Sequence, residues 1–201
     1  MSIIVKSEIP VYVITMTHNS ISRYYTNRIK ESWFALGYSN LKFVEAIVPE
    51  TIKDRCPIKL NFDKIRRGKK ARDFTPTEKA VWYSHYYLWR RIRRLKRNAI
   101  IIEHDNMLLE EIPNSITQYD LRAFCRHNYK PCLMAGSAYY ITPKGADTLI
   151  NDPGLKNIIQ NVDGHLLMQK NQTPFKTDIY SNTYAQVIYD EKIGTTIKHG
   201  K

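Results

Sequence analysis

Acid is the scarce commodity in this chain. Asp and Glu together number 19 against 31 Lys and Arg in 201 residues, a formal net charge of +12. Such a surplus implies anionic company: nucleic acid, a nucleotide phosphate or an acidic membrane surface. Long apolar runs are also missing. None approaches the roughly 18 residues of a membrane span, and Lys6, Glu8 and Pro10 interrupt any apolar start, so neither a spanning helix nor a signal peptide is expected. Cysteine is sparse. Cys56, Cys125 and Cys132 are odd in number and at no metal-ligand spacing, which excludes a disulfide framework and reads as reduced thiols in a cytosolic protein. There is no internal repeat, no low-complexity tract, and no recognition-helix, RNP or zinc-finger pattern, so the charge has no nucleic-acid module beside it. The length and 43% hydrophobic content suit one well-buried core and a single domain over 1–201.

What is present is organised around residues 75–105. Thr75-Pro76-Thr77-Glu78 has the form of a capping box with proline at the first helical position. Val81, His85, Leu88, Ile92 and Leu95 follow at helical spacing, which predicts one core-facing stripe, and Asn98 is the expected break. Ala99 to Ile102 is a continuous apolar run, the pattern of a strand covered on both faces. Glu103, His104 and Asp105 come next. Ligands of open α/β sheets bind beyond the carboxyl ends of strands, so this acid-tipped strand marks a candidate site.

Upstream, Val11–Thr15 reads as a strand, 20–36 as a helix capped by Asn19 or Ser20 and stopped at Gly37, and 41–48 as a second strand closed by Pro49. That order is a βαβ unit with parallel strands. Residues 50–73 show little periodicity and carry Lys64, Arg66, Arg67, Lys69, Lys70 and Arg72 around Gly68, so they read as a basic, flexible loop. Downstream, 110–128 reads as loop and helix, 132–142 as a strand, and Pro143 opens a helix that ends near Asn151. A further short helix leads to Asp163-Gly164, read as a turn, and 175–180 and 186–189 carry weak strand signals.

Glu103 and Asp105, one residue apart, share a side of an extended strand. They suit a hard cation such as Mg²⁺ or Mn²⁺, with His104 as a nitrogen donor; the bland alternative is a solvated acidic turn. His85 is either a hydrogen-bonded core histidine or a support behind that turn. Arg90, Arg91, Arg93, Arg94, Lys96 and Arg97 exceed what a helix dipole needs at a carboxyl end and suit phosphates or anionic lipid.

The order of these motifs resembles glycosyltransferase family 25. It rests on Glu78, Ala80, Ser84-His85 and Trp89, then Ile101-Ile102-Glu103-His104-Asp105, with Val13-Ile14-Thr15 and Arg23, Phe43 to Ala46, Ala138-Tyr139-Tyr140-Ile141-Thr142, Gly145-Ala146 and Val162-Asp163. His104 stands where the family pattern has Asp, and Ala80-Val81 where it has Gly-Cys. The resemblance implies an α/β, GT-A-like nucleotide-diphospho-sugar transferase fold with a mostly parallel central sheet. It implies a metal-dependent, inverting hexosyltransferase moving a sugar, galactose first, from a UDP-sugar to a glycan or glycolipid in lipopolysaccharide biosynthesis, with Mn²⁺ or Mg²⁺. The implied roles are Asp163 as catalytic base, Asp105 and His104 as metal ligands, and Thr15, Thr17, Arg23, Ala46, Ser84, His85 and Glu103 as donor-binding residues. Peripheral contact with an anionic membrane at the inner membrane surface is a further expectation. The alternative is a non-catalytic basic protein of the same fold that binds nucleic acid or an anionic surface.

Overall fold

The computed structural model describes residues 8–67, 70–127, 135–169, 177–178 and 184–187. Strand β1, Val11–Thr15, feeds helix α1, Ser20–Ala35, whose cap is Asn19: its side chain accepts from the Ser22 amide. Gly37 ends α1 with φ 84°, which lets its own amide reach the Phe34 carbonyl and the Tyr38 amide reach the Trp33 carbonyl. Strand β2, Leu41–Glu45, pairs parallel with β1 in register Val11↔Leu41 to Thr15↔Glu45, the expected βαβ unit. β2 stops three residues short of the sequence expectation, because the chain turns into a 3₁₀ segment at Pro49–Thr51.

The expected loop at 50–73 is more ordered than its periodicity suggested. It holds a short helix α2, Ile52–Arg55, and an antiparallel hairpin of β3, Ile65–Arg67, and β4, Lys70–Arg72. Leu60, Ile65 and Phe74 anchor the segment in the core, three isolated apolar side chains that leave no periodic trace. Within this segment, which the sequence marks as flexible, residues 68–69 lie outside the described residues.

Helix α3, Pro76–Leu95, begins with the capping box: the Thr75 hydroxyl accepts from the Glu78 amide and Glu78 accepts from the Thr75 amide. Arg72 grips the same Glu78 with two bonds of 2.6 and 2.8 Å, which ties the hairpin to the helix start. α3 ends at Lys96, in the left-handed region at φ 51°, two residues before the expected break. Its buried side is broader than the aliphatic stripe and is rotated from it. Trp82, Tyr83, His85, Tyr86, Trp89 and Ile92 are buried, whereas Leu95 is 43% exposed. The aromatic residues carry more apolar area than the aliphatics and decide which side faces inward.

Strand β5, Ala99–Glu103, is central. Ala99 and Ile101 enter the core on one face, Ile100 and Ile102 the core on the other. The chain then forms β6, Asn106–Leu108, a 3₁₀ segment at Asn114–Gln118, β7, Leu121–Ala123, and β8, Cys125–His127. No α-helix occurs among the described residues of 110–128, in contrast to the sequence expectation: Leu121 and Ala123 enter one core and Phe124 and Cys125 the other, as the chain passes from the main sheet to the second. Strand β9, Ala138–Ile141, leads through the cap Thr142 into α4, Pro143–Ile150. After a 3₁₀ turn come α5, Val162–Met168, then β10, Thr177–Asp178, and β11, Ala185–Val187.

The main sheet runs β10-β7-β9-β5-β1-β2 and is parallel except for β9, which opposes both of its neighbours. This is the α/β architecture with a mostly parallel central sheet that the sequence predicts. Helices α3, α4 and α5 contribute Trp82, Trp89, Leu149 and Leu166 to one face. On the other, α1 and a second sheet of order β6-β11-β8 contribute Ile29, Trp33, Cys125 and Ala185. Among the described residues no helix is long and apolar enough to cross a membrane.

Candidate active site at the carboxyl edge of the sheet

Strands β1, β2 and β5 are parallel, so their carboxyl ends share one edge. β9 is reversed and brings its amino end, with Gly136 and Ser137 just before it, to the same edge. The Glu103 amide donates to the Ser137 carbonyl at 2.9 Å. β5 ends at Glu103, and residues 104–105 form a turn before β6. The strand alternation expected to put Glu103 and Asp105 on one side therefore stops at Glu103. The charges of the two carboxyls nonetheless act on each other.

Glu103 has partners on both oxygens. The Ser137 hydroxyl donates to one at 3.0 Å, and His85 Nε2 lies 3.5 Å from the other. Burial works to raise the Glu103 pKa, but His85, His104 and the Ser137 hydroxyl outweigh it and hold the carboxyl below its ordinary value. Asp105 goes the other way. Burial and the Glu103 charge, with a smaller push from Asp163, raise it to about 8 against its own amide. The Asn106 side-chain amide donates to it at 3.1 Å. Burial pushes the His104 pKa down, while Glu103 and a hydrogen bond from the ring to the Ile14 carbonyl oppose it. The ring lies 6.3 Å from that of Tyr25.

Asp163 reaches this edge from the first turn of α5. The cap of that helix is Asn161, which accepts from the Gly164 amide, so the expected Asp-Gly turn is instead a helix start. One Asp163 oxygen accepts from the Gly136 amide at 2.7 Å, and the Asn161 side-chain amide lies 3.4 Å from the other. A Cβ on Gly136 would sit 3.1 Å from Val162 and 3.2 Å from the Asp163 carboxylate, so glycine permits this approach. Burial and the Glu103 charge raise Asp163 to about 6, against the Gly136 amide and His85.

The remaining expected residues divide. Thr17 and Arg23 are exposed at the rim beyond β1. Glu45 accepts from the Thr17 hydroxyl at 2.6 Å and from its amide, and Arg23 donates to the Thr17 carbonyl. The Ala46 carbonyl accepts from Arg55. Thr15 and Ser84 lie behind the rim. The Thr15 hydroxyl bonds Ser22 and Thr26, and Ser84 bridges the Ile47 amide to the Ala80 carbonyl. Sequence reasoning passed over Glu45 and Arg55. The first stands at a strand's carboxyl end and was findable by that rule; the second has no local signal. Gly136 and Ser137 were read as positions of close backbone approach, which Gly136 makes with Asp163, but their place at this edge needs the reversed β9; Asn161, the cap of α5, was missed. Among the described residues no three His, Cys, Asp or Glu side chains form a group that could hold a metal ion.

A family model described as "Glycosyltransferase family 25 (LPS biosynthesis protein)" matches residues 8–123, more than half of the chain. The chain belongs to glycosyltransferase family 25. The match runs from β1 to β7 and includes α3 and the acidic turn, so this glycosyltransferase carries Ser137 and Asp163 beyond the matched region. No curated protein matches the sequence. Among solved structures, the chain is similar to a glycosyltransferase involved in the glycosylation of the major capsid of PBCV-1. The identity is 8%, the TM-score 0.41, and the coverage 90% of this chain and 82% of that one.

Proposed function

We propose that this glycosyltransferase moves a hexose, galactose first among candidates, from a UDP-sugar to a hydroxyl of a glycan or glycolipid, with inversion at the anomeric carbon. The observation that carries this reading is the meeting of Glu103, Asp105 and Asp163 at one edge, with carboxyl pKa values driven apart. Neighbouring carboxyls with separated pKa values can take separate roles.

Asp163 is the general base. A carboxyl at about 6 is largely ionised at neutral pH yet basic enough to take a proton as bonding changes. The Gly136 amide fixes its orientation. As the acceptor oxygen bonds to the anomeric carbon, the carbon–phosphate-oxygen bond breaks, UDP departs with the electron pair, and the acceptor proton passes to Asp163. Thr17, Arg23 and Ala46 form the rim for the nucleotide. Thr15 and Ser84 act from behind by fixing the ends of β1 and β2.

A divalent cation fits the donor set. Asp105 is raised by burial and like charge, the environment that an added cation would relieve. His104 is tied to a backbone carbonyl, as metal-binding histidines are. Mn²⁺ or Mg²⁺ commonly takes one or two protein ligands and fills its shell with water and phosphate oxygens. When bound by Asp105 and His104, it would neutralise charge on the departing diphosphate. A screen of nucleotide sugars for hydrolysis, with and without Mn²⁺, tests this: metal-dependent turnover of a UDP-hexose is expected, and turnover of none would overturn it.

A further inference from the structure

We propose that Trp89, Tyr139 and His85 form a hydrogen-bond relay of fixed direction that positions Glu103, making Tyr139 a positioning residue for the acidic edge. The proposal rests on reading that edge as the active site. Trp89 Nε1 lies 2.8 Å from the Tyr139 hydroxyl, which lies 2.8 Å from His85 Nδ1; His85 Nε2 faces Glu103 at 3.5 Å. Trp89, Tyr139 and His85 are fully buried, so no water competes for these bonds.

The donors can be ordered from chemistry alone. An indole N–H only donates, so the Tyr139 oxygen accepts from Trp89. The Tyr139 proton then points to His85 Nδ1, which must accept. The imidazole proton is left on Nε2, aimed at the Glu103 carboxylate. The reverse assignment makes Tyr139 accept twice, strands its own O–H in a dry interior, and turns a lone pair of His85 toward an anion. Each of those faults is costly in a buried network. Glu103 is thereby held by His85 on one oxygen and by Ser137 on the other. It orients the turn that carries His104 and Asp105 and ligates nothing itself.

Trp89 has a second task. Its ring stacks on His165, with centroids 6.2 Å apart at 27°, and His165 lies two residues past Asp163 on α5. One indole therefore braces Glu103 through its N–H and the helix of the base through its face.

Two measurements on the full chain test the relay. Nitrogen-15 NMR of the ligand-free protein at pH 7.5 reads the His85 tautomer whether or not the enzyme reading holds. A neutral ring protonated at Nε2 is expected; a proton on Nδ1 overturns the relay. Calorimetry of UDP with Mn²⁺ then reads its consequence. Tyr139→Phe keeps the ring and is expected to weaken Mn²⁺-dependent UDP binding about 10-fold, the lower end for supports behind metal ligands. In a His85→Gln background, where the path is already cut, the same change is expected to add less than about 2-fold. Full additivity of the two substitutions would show that Tyr139 acts by packing alone and would overturn the proposal. Absence of Mn²⁺-dependent UDP binding in the wild type would instead remove the enzyme reading and leave the relay to the NMR result.

Discussion

Helix α3 and strand β5 join two edges of opposite character. At the carboxyl edge three partly buried carboxyls meet with histidine for company. At the amino edge Arg91, Arg93, Arg94, Lys96 and Arg97 stand exposed around the end of α3, with Leu95 among them. His85 already faces Glu103, and the helix from there to Leu95 keeps the two about 15 Å apart. Charge count alone would have put the function at the basic edge. The proposed function lies instead at the acidic one, for a physical reason. Exposed charges are hydrated and screened, and beyond a Debye length of about 8–10 Å they hardly influence chemistry. At the acidic edge, surrounding protein strengthens each interaction, and burial with the Glu103 charge raises Asp105 to about 8 and Asp163 to about 6. The basic edge suits a surface contact, as with anionic lipid, and takes no part in the proposed reaction.

The largest break in this contrast is expected from Asp163→Asn. The amide keeps the shape but cannot accept a proton, so turnover should fall about 10²- to 10⁴-fold while UDP affinity stays within a few-fold of wild type. Because Asn161 supplies the helix cap, the substitution removes no capping bond and should not lower thermal stability. Single-turnover kinetics beside calorimetry would read this directly; normal turnover would remove Asp163 from the mechanism.

Asp105→Asn should separate function from stability. The folded-state pKa, about 8, lies above the ordinary aspartate value, so the protonated form is favoured by folding. Its contribution is complete below about pH 4 and is lost as pH rises toward 8. The metal-free wild type should therefore lose stability across that window, and the variant should lose less. With the partial solvent contact of the carboxyl, a gain on the order of 1–3 kcal/mol at pH 8 is expected in denaturant titrations. A loss of stability instead would show that Asp105 is not under charge strain.

A smaller effect is expected at the hairpin anchor. The Arg72 hydrogen bonds, against burial and with help from Thr75, hold Glu78 down to about 2. The stabilisation is present above the ordinary glutamate range and fades as pH falls toward 2. Arg72 is exposed, so Arg72→Ala should lower stability only slightly in denaturant titrations, and less at high salt. The smallest effect is predicted for Arg91→Ala, Arg94→Ala and Arg97→Ala combined. UDP affinity and turnover on a soluble acceptor should stay within about 2-fold, while binding to anionic vesicles weakens. A large loss of UDP affinity would erase the distinction between the edges.

Much of this was legible in the sequence where a motif is local. Thr75 to Glu78, the stop at Gly37, and the apolar run before Glu103 each specify their own geometry. The misses were non-local. α3 turned its aromatics inward, which an aliphatic stripe does not foretell. Residues 121–127 form strands whose pairing partners lie far along the chain. Asp163 could be picked out, but its contact with Gly136 needs the reversed β9, and no spacing in the sequence announces that reversal. Thr15 was read at the exit of the first strand and Ser84 on the helix beside His85, and that is where they lie, yet their hydroxyls bond inward, a direction that sequence does not encode.

The central claim is that the acidic edge holds the donor and its metal. Its most direct test is calorimetric titration of UDP into wild type and Asp105→Ala, each with and without Mn²⁺. The account predicts Mn²⁺-dependent binding by the wild type and its loss in Asp105→Ala. Equal Mn²⁺-dependent affinity in both proteins would contradict it.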